Sequence, residues 1–409
     1  MKMNSTEKPV ARVDGANAAR LCMWIFLGAL ILSFLYILVT GRFNGDFHGV
    51  EVTLSVWWLT FSFVASVIPY FFCYWLYLKF SRNARAPTVR VGNALLGISF
   101  FSITTWFIFL AIKYNVGVLG LGVYEATEFL TPLIQITNRI SPYYLGVFFI
   151  VGYKGSRATI ALGVLLLITL GVLRAGLGVF IYILLALVIR NHQQIRGAFR
   201  NHLIKIILIV VLAPSAIGEL YSLRSELRGQ EDFSAALSAS EIIVARLAGR
   251  LSSISNSSFI LQEQSHFRSV ALNIDPLYFQ RQVLAPLFGV GIIPEVIPER
   301  ILINFFGGSF LDVSYMAGVP GNLALAWFIG PPIFLINLVT IVLMAWLSFY
   351  FANKLDLPFR NEVCFMLIMY PMTSGVGNEF SFIAVSMVAL IVMFKLMRLI
   401  GFSNRRVVS

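Results

Sequence analysis

Charged side chains are scarce in this sequence. Asp, Glu, Lys and Arg make up 12% of its 409 residues, whereas hydrophobic residues make up 58%, and the mean hydropathy is +0.83. A soluble domain of this length needs far more polar surface to face water. The composition therefore excludes a soluble globular protein and indicates a multi-pass membrane protein.

Residues and motifs that carry common enzyme chemistry are also few. The sequence has three Cys and four His. Cys22, Cys73 and Cys364 lie in or beside apolar runs, which predicts packing residues and neither disulfides nor metal ligands. There is no Walker loop, zincin motif, nucleophile elbow or Asp-x-Asp pair for a nucleotide sugar. We therefore expect no metal and no cofactor, and nothing resembles a nucleic-acid-binding module.

The apolar runs divide into ten predicted membrane spans at roughly 20 residues for each crossing. They cover residues 18–40, 52–78, 93–112, 136–153, 158–173, 175–190, 203–220, 321–350, 361–374 and 380–400. The first run is too long for a signal-peptide core and is expected to stay as a helix. Proline and glycine interrupt the chain at 328–335 and at 369–378, which predicts broken helices there.

Lys and Arg residues orient these spans. With the N terminus placed in the cytoplasm, 20 of the 31 basic residues fall at cytoplasmic ends of spans. The short loops of the other side hold only Arg42, Lys113, Arg139 and Arg174. The positive-inside rule therefore predicts that both termini are cytoplasmic. The net charge of +12 favours anionic lipid or an anionic ligand as a partner.

Arg174 is the only charged residue in the 32-residue stretch 158–189. Basic segments on both sides of this stretch place its two ends on the same side of the membrane. The stretch is therefore predicted to be a hairpin of two short helices with Arg174 at its tip, on the outer face. The alternative is one tilted helix with Arg174 at mid-bilayer, which costs roughly 3 kcal/mol or more and inverts every later loop.

A long outer loop is predicted to divide the chain into three regions. Residues 1–220 hold seven spans, 221–320 form the loop, and 321–409 hold three spans and a cytoplasmic tail. The loop contains seven arginines and no lysine. Arginine presents a planar fork that suits phosphate or carboxylate groups, whereas lysine offers a point charge.

The loop arginines, together with Arg174, indicate an anion site at the membrane surface. Arg246 and Arg250 are four residues apart and so share one face of a helix, and Arg281 is a further candidate for the same site. The alternative is an ordinary solvated loop, since nine acidic residues in 221–320 more than balance the arginines.

Three other polar residues are candidates for proton transfer or for structural roles. His266 is either a general base or an exposed bystander. Asp312 either accepts a proton from a sugar hydroxyl or caps the following helix. Glu379, at the break before the last span, is as well explained by a helix cap as by chemistry.

The overall plan resembles the Wzy-type O-antigen polymerases, which join oligosaccharide repeat units. These are bacterial inner-membrane proteins with ten to fourteen spans and a large periplasmic loop late in the chain. The arginine-tipped hairpin around Arg174 resembles one of the family's features. The pattern formed by Asp312, Tyr315, Gly318 and Gly321 resembles the polar residue and Tyr-x-x-Gly-x-x-Gly that open a span in the family. The resemblance covers about 150 to 390.

This resemblance implies a GT-C-like all-α fold and a glycosyltransferase that acts at the periplasmic face. Its substrates are repeat units linked to undecaprenyl diphosphate, and a chain-length regulator protein is an expected partner. Arg174 is expected in catalysis and diphosphate binding, with Arg246, Arg250 and Arg281 in diphosphate binding and Asp312 and His266 in catalysis. The alternatives are an O-antigen ligase and a lipid-linked oligosaccharide flippase or other transporter. Because ligases usually carry a histidine near the position of Asp312, its absence here favours the polymerase.

Overall fold

A computed structural model describes residues 8–83, 86–117, 130–174, 178–201, 248–297, 300–301 and 317–399. This part of the chain is helical apart from short connections and one parallel pair of two-residue strands. The helices are α1 (Lys8–Thr40), α2 (Val56–Arg82), α3 (Asn93–Tyr114), α4 (Leu130–Thr137), α5 (Pro142–Gly152), α6 (Arg157–Leu173), α7 (Gly178–Asn201), α8 (Gly249–Ser252), α9 (Ile254–Gln262), α10 (Gln264–Ala271), α11 (Tyr278–Phe288), α12 (Gly318–Ile329), α13 (Pro331–Ala352), α14 (Arg360–Ser374) and α15 (Gly377–Leu399). The strands are β1 (Val89–Arg90) and β2 (Leu355–Asp356).

Five of the described helices are long and apolar enough to cross a membrane. They are Ala16–Thr40, Val56–Arg82, Asn93–Tyr114, Pro331–Ala352 and Gly377–Leu399. Their outward surfaces carry large apolar side chains; Trp57 is 84% exposed and Val339 is 63% exposed. Such surfaces are unfavourable in water and suit hydrocarbon. The chain therefore has the architecture of an all-α membrane protein.

The helix ends lie at two opposite faces of the bundle. Asn93 at the start of α3 donates to the carbonyl oxygen of Lys154 (2.9 Å) and accepts from its backbone nitrogen (2.6 Å), so α3 begins where α5 ends. The pairing of β1 with β2 brings the segment after α13 to the same end. We call this end the Arg360 face, because α14 begins there at Arg360. The opposite end, where α6 ends, is the Arg174 face.

Helices α6 and α7 form the predicted antiparallel hairpin. The two helices are in contact, and Arg157 at the start of α6 lines the same pocket as Arg190 in α7. The beginning of α6 and the later part of α7 therefore lie together at the Arg360 face. Arg174 lies at the turn, on the opposite face, and the alternative of one tilted helix through 158–189 is wrong.

Helix α14 is the central element of the bundle. It contacts α1, α2, α5, α7, α12, α13 and α15, and each side chain from Val363 to Met369 is at most 1% exposed. Cys364 belongs to this buried stretch. All three cysteines are buried and free of disulfides, which confirms their prediction as packing residues.

Helices α8 and α9 come from the predicted outer loop but lie inside the bundle. Each residue from Ile254 to Ile260 is at most 4% exposed. The hydroxyl of Tyr70 donates to the carbonyl oxygen of Leu251 at 3.1 Å. Tyr70 is 14 residues from the start of α2 at Val56, which corresponds to roughly 21 Å of helix. The chain around Leu251 therefore reaches deep into the bundle.

Helix α9 then runs outward from this depth to the Arg174 face. Its last residue, Gln262, accepts a hydrogen bond from the backbone nitrogen of Thr53 at 2.9 Å, in the segment that joins α1 to α2. Midway, Phe259 stacks on Phe47 of the same segment with 4.4 Å between ring centroids. The segment around α9 is thus re-entrant, packed between α1, α2 and α12.

Helix α12 also begins inside the bundle, and glycine permits its start. Gly318 has φ +68°, and a Cβ there would lie 2.7 Å from the Oγ of Ser253. Gly375 has φ +71°, and a Cβ there would lie 2.4 Å from the carbonyl oxygen of Gly318. Side chains larger than hydrogen cannot fit at such approaches. Gly330 then separates α12 from α13, so the predicted span 321–350 is two helices that break at the Gly-Pro-Pro sequence.

Candidate functional site

Arg174 lies at the end of α6, where its backbone nitrogen still bonds to the carbonyl oxygen of Leu170 at 3.1 Å. The guanidinium lies over the ring of Phe107 in α3, with 4.8 Å from Cζ to the ring centroid. The side chain of Tyr143 is hydrogen-bonded to the same guanidinium. Arg174 is therefore held by an aromatic face and a hydroxyl.

A glycine provides the space for this guanidinium. Gly117 has φ +74°, and a Cβ there would lie 3.1 Å from both Cζ and Nε of Arg174. The left-handed backbone and the close approach both favour glycine. Residues from α3, α5 and α6 thus fix the position of one arginine.

The Nε of Arg174 is buried and has no hydrogen-bond partner in the part of the chain that the structure describes. A buried donor without a partner is costly, and such a group calls for a functional or structural explanation. The side chain as a whole is half-buried, so Arg174 combines an inaccessible, unpartnered Nε with a partly accessible side chain at the Arg174 face.

Two consecutive tyrosines at the start of α5 connect Arg174 to a carboxylate. Ser141 caps this helix by accepting a hydrogen bond from the backbone nitrogen of Tyr144 at 3.3 Å. Tyr143 contacts Arg174, while the hydroxyl of Tyr144 is hydrogen-bonded to that of Tyr182 in α7 and lies in electrostatic range of Glu379. Neighbouring side chains of a helix point in different directions, so the two charged groups lie on different sides of one helical turn.

Glu379 is in the first turn of α15 and is half-buried. Its carboxylate accepts a hydrogen bond from the hydroxyl of Ser374 at the end of α14. Tyr182, which is also in electrostatic range of Glu379, packs edge-on to Tyr144 with 6.0 Å between ring centroids. An ionisable group inside a membrane bundle is rare and marks a functional site by default. Arg174, Tyr143, Tyr144, Tyr182 and Glu379 are hereafter the Arg174–Glu379 cluster.

The cluster offers two groups with complementary chemistry, a cation and a base. A guanidinium with a spare donor can stabilise negative charge that develops on a leaving group. A carboxylate that is partly accessible can accept the proton of an attacking hydroxyl. In the described part of the chain no group of three or more His, Cys, Asp or Glu residues is placed to hold a metal ion.

The other predicted site residues are distributed elsewhere. His266 is exposed on α10, with its ring 5.5 Å from the ring of its neighbour Phe267. Arg281 on α11 pairs with Asp275, with 3.0 Å between Nε and Oδ2. This ion pair engages the Nε of the guanidinium, and the predicted diphosphate-binding role of Arg281 stays a prediction.

Three predicted residues fall wholly or partly outside the described residues. Asp312 and Arg246 lie in 302–316 and 202–247, which the structure does not describe, and the side chain of Arg250 is likewise outside. Of the Tyr-x-x-Gly-x-x-Gly pattern, the two glycines are described. A Cβ at Gly321 would lie 2.8 Å from Cδ1 of Ile260, so both Gly318 and Gly321 allow α12 to pack closely on the segment around α9.

Comparison with protein-family models, with curated proteins and with solved structures finds no match for this chain. An assignment of function therefore depends on the geometry and chemistry of the Arg174–Glu379 cluster and on the membrane-protein architecture that positions it.

Proposed function

We propose that the chain is a membrane glycosyltransferase of the O-antigen polymerase type, which extends a glycan carried on undecaprenyl diphosphate. The observation that carries the proposal is the placement of a cation and a carboxylate around the first turn of α5: Arg174 is hydrogen-bonded to Tyr143, and Glu379 lies in electrostatic range of Tyr144. The buried Nε of Arg174 has no partner among the described residues. An enzyme that uses a lipid-diphosphate donor needs such a cation and such a base, and needs no nucleotide.

In the proposed reaction, a hydroxyl of the acceptor sugar attacks the anomeric carbon of the donor sugar. The new bond joins that hydroxyl oxygen to the anomeric carbon, and the bond from the anomeric carbon to the diphosphate oxygen breaks. Glu379 accepts the hydroxyl proton. Arg174 stabilises the negative charge that develops on the departing diphosphate, and Tyr143 holds the guanidinium in position.

The distribution of basic residues supports a cytoplasmic location for the Arg360 face and a periplasmic location for the Arg174 face. The Arg360 face carries Lys79, Arg82, Arg90, Lys154, Arg157, Arg190, Lys354, Arg360, Lys395 and Arg398. The Arg174 face carries Arg42, Lys113, Arg139 and Arg174 among the described short connections. This asymmetry follows the positive-inside rule for a bacterial inner-membrane protein with cytoplasmic termini.

Topology can be tested with single cysteines in a background that lacks native cysteine. Cysteines at the exposed positions Arg42 and Gly49 should react with an impermeant thiol reagent in intact spheroplasts. Cysteines at Ala86 and Asp356, which are exposed on the Arg360 face, should react only after lysis. The reverse pattern would place the Arg174–Glu379 cluster in the cytoplasm and contradict the proposed site of polymerisation.

A lipid-linked glycan transporter is the second candidate, because α9 and α12 both begin inside the bundle. Broken helices whose N-termini meet near mid-membrane are typical of transporter binding sites. Here Gly318 at the start of α12 approaches Ser253 just before α9. Transport predicts movement of intact lipid-linked glycan across the membrane, whereas the polymerase predicts new glycosidic bonds.

Two experiments distinguish these activities. The purified protein in nanodiscs, supplied with lipid-linked repeat units and a chelator, should lengthen the glycan without nucleotide or divalent metal. Strict metal dependence would overturn the role of Arg174 in leaving-group stabilisation. In the host, deletion of the gene should leave lipid A–core capped with a single repeat unit, whereas bare core would indicate a ligase or a flippase.

A further inference from the structure

An apolar groove of about 580 Å³ opens on the side of the bundle and contains none of the residues of the Arg174–Glu379 cluster in its described lining. Side chains of α2, α12 and α13 line most of it, with α9 and α10 at its edge. Trp58, Phe61 and Pro69 belong to α2, while Trp327 and Ile341 belong to α12 and α13. The groove is thus a recess in the side of the bundle, on a surface that faces hydrocarbon.

One end of the groove lies at the Arg174 face, and the other lies deep in the bundle. Trp58 is in the first turn of α2, whereas Pro69 is eleven residues further along, which corresponds to roughly 16 Å. Trp58 and Trp327 are each 53% exposed. Tryptophan is enriched where a membrane meets water, so these residues mark the level of the lipid headgroups.

The only charged side chain on the described lining of the groove is Arg268 of α10. Its guanidinium lies over the ring of Phe328 with 5.3 Å from Cζ to the ring centroid, and the side chain is exposed. Within the described residues it has no ion-pair partner, in contrast to Arg281, which pairs with Asp275. A single guanidinium with no ion-pair partner among the described residues therefore lies at the end of the groove that is flanked by Trp58 and Trp327.

We propose that this groove binds the polyisoprenyl chain of a phosphate-headed lipid and that Arg268 contacts its phosphate. The occupant matches the groove in two ways. Its chain is apolar and suits walls of Trp, Phe, Pro, Leu and Ile, and its phosphate suits a guanidinium held at the headgroup level. The choice of a polyisoprenyl chain over an acyl chain rests on the proposed function, since that reaction joins two lipid-linked glycans and Arg174 contacts the diphosphate of only one of them.

The groove can be tested with a sugar-free polyisoprenyl phosphate that carries a photoreactive group near the end of its chain. The probe is added to purified protein in nanodiscs, and crosslinked residues are identified by mass spectrometry. Wild-type protein should crosslink on the groove residues of α2 and α13, and unlabelled polyisoprenyl phosphate should compete. Competition of equal strength by phosphatidylglycerol would overturn the proposal in favour of ordinary bilayer lipid.

Two adjacent residues of α2 provide a matched pair of variants. Ala65 lines the groove, whereas Val64 is 52% exposed and points away from it. Ala65→Phe should reduce crosslinking about tenfold, because the phenyl ring fills space in the groove that apolar groups of the chain would otherwise occupy. Val64→Phe should leave crosslinking unchanged. Equal crosslinking of both variants would contradict the proposal.

A second variant addresses the headgroup without altering the packing of the bundle. Arg268→Gln changes an exposed side chain and should weaken binding about tenfold, as expected for the loss of one charge-assisted contact, and Arg268→Lys should restore part of the loss. Unchanged binding by Arg268→Gln would exclude the phosphate contact. Because the probe carries no sugar, it reports binding independently of chain growth. Crosslinking in the groove, together with failure of chain growth in the assay with lipid-linked repeat units, would refute the proposed polymerase and leave the lipid site intact.

Discussion

Arg174 is held in a different way from two arginines at the opposite face of the bundle. At the Arg360 face, Arg360 donates to the carbonyl oxygen of Leu355 at 2.7 Å, and Arg190 donates to the carbonyl oxygen of Tyr153 at 3.1 Å. These guanidinium groups satisfy backbone carbonyls. At the opposite face, Arg174 lies over an aromatic ring and keeps a donor without a partner among the described residues.

Glu362, near the Arg360 face, and Glu379, near the Arg174 face, show the same contrast. Glu362, in the first turn of α14, is 9% exposed, accepts a hydrogen bond from the hydroxyl of Tyr77 at 3.0 Å, and interacts with Arg360 and His192. Glu379 is more accessible and interacts with hydroxyl groups of Ser374, Tyr144 and Tyr182. Arg360, Arg190 and Glu362 thus stabilise the fold at the Arg360 face, whereas Arg174 and Glu379 are the charged groups for which we propose a role toward a ligand.

The largest expected effect is the loss of Arg174. Arg174→Ala should lower the rate of chain growth about 10²- to 10³-fold, as for removal of one preorganised donor to a developing anion. Arg174→Lys should recover little, because a point charge replaces a planar fork. The control is Arg139→Lys on the same face, where the guanidinium donates to the carbonyl oxygen of Leu287 at 2.8 Å. Full activity of Arg174→Lys would show that charge alone is needed.

The next largest effect tests the two glutamates against each other. Glu379→Gln retains an acceptor for Ser374 but removes the base, so chain growth should fall about 10²-fold with little change in abundance. Glu362→Gln should leave the rate per folded molecule within about twofold, since the amide oxygen still accepts from Tyr77, a hydrogen bond worth about 1 kcal/mol. A normal rate in Glu379→Gln would exclude Glu379 as the base and favour a helix-capping role for it.

The free energy of unfolding should depend more on Arg190, at the Arg360 face, than on Arg174. Arg190→Leu leaves the carbonyl oxygens of Ile150 and Tyr153 without their donor and should lower the free energy of unfolding by about 1–3 kcal/mol. Arg174→Ala removes a buried donor that lacks a described partner, together with the contacts to Phe107 and Tyr143, and should lower the free energy of unfolding less. Thermal unfolding in detergent measures both. A larger loss of stability in Arg174→Ala would make that residue structural.

The smallest expected effect on activity comes from Phe107, whose ring lies under the guanidinium of Arg174. Phe107→Leu keeps apolar packing but removes the ring face under Arg174, an interaction worth about 0.5–2 kcal/mol. The Michaelis constant for the lipid-linked donor should rise several-fold, while the maximal rate falls less. An unchanged Michaelis constant would show that Tyr143 and Gly117 position the guanidinium without Phe107.

Much of the fold could be predicted from the sequence because its signals are local. Apolar run length predicts the long helices, and basic residues on both sides of 158–189 predict the hairpin with Arg174 at its tip. The re-entrant segment could not be predicted in this way. Four polar residues, Ser255 to Ser258, read as part of an exposed loop, yet they are buried. Their environment includes Asn44, which is 211 residues from its hydrogen-bond partner Ser255.

The candidate site could be predicted only in part. Arg174 stands out because one charge interrupts a long apolar run. Glu379 is a second isolated charge near a helix break, but its position beside the start of a helix favours a cap equally well. Arg281 has the right side chain for an anion site, and only the structure shows that its Nε pairs with Asp275.

The sequence by itself determined that this is an all-α membrane protein, that its positive charge is concentrated on one face, and that Arg174 lies at a hairpin tip on the other. These properties depend on composition and on the order of residues along the chain. The length of each apolar segment and the basic residues at its ends determine membrane insertion and orientation locally. Tertiary structure alone decided that Tyr143 and Tyr144 connect Arg174 to Glu379, and that the segment around α9 lies inside the bundle. Tyr144 interacts with Glu379 across 235 positions of the sequence, and Tyr70 bonds to Leu251 across 181. These interactions arise from packing of distant helices, which local patterns do not encode.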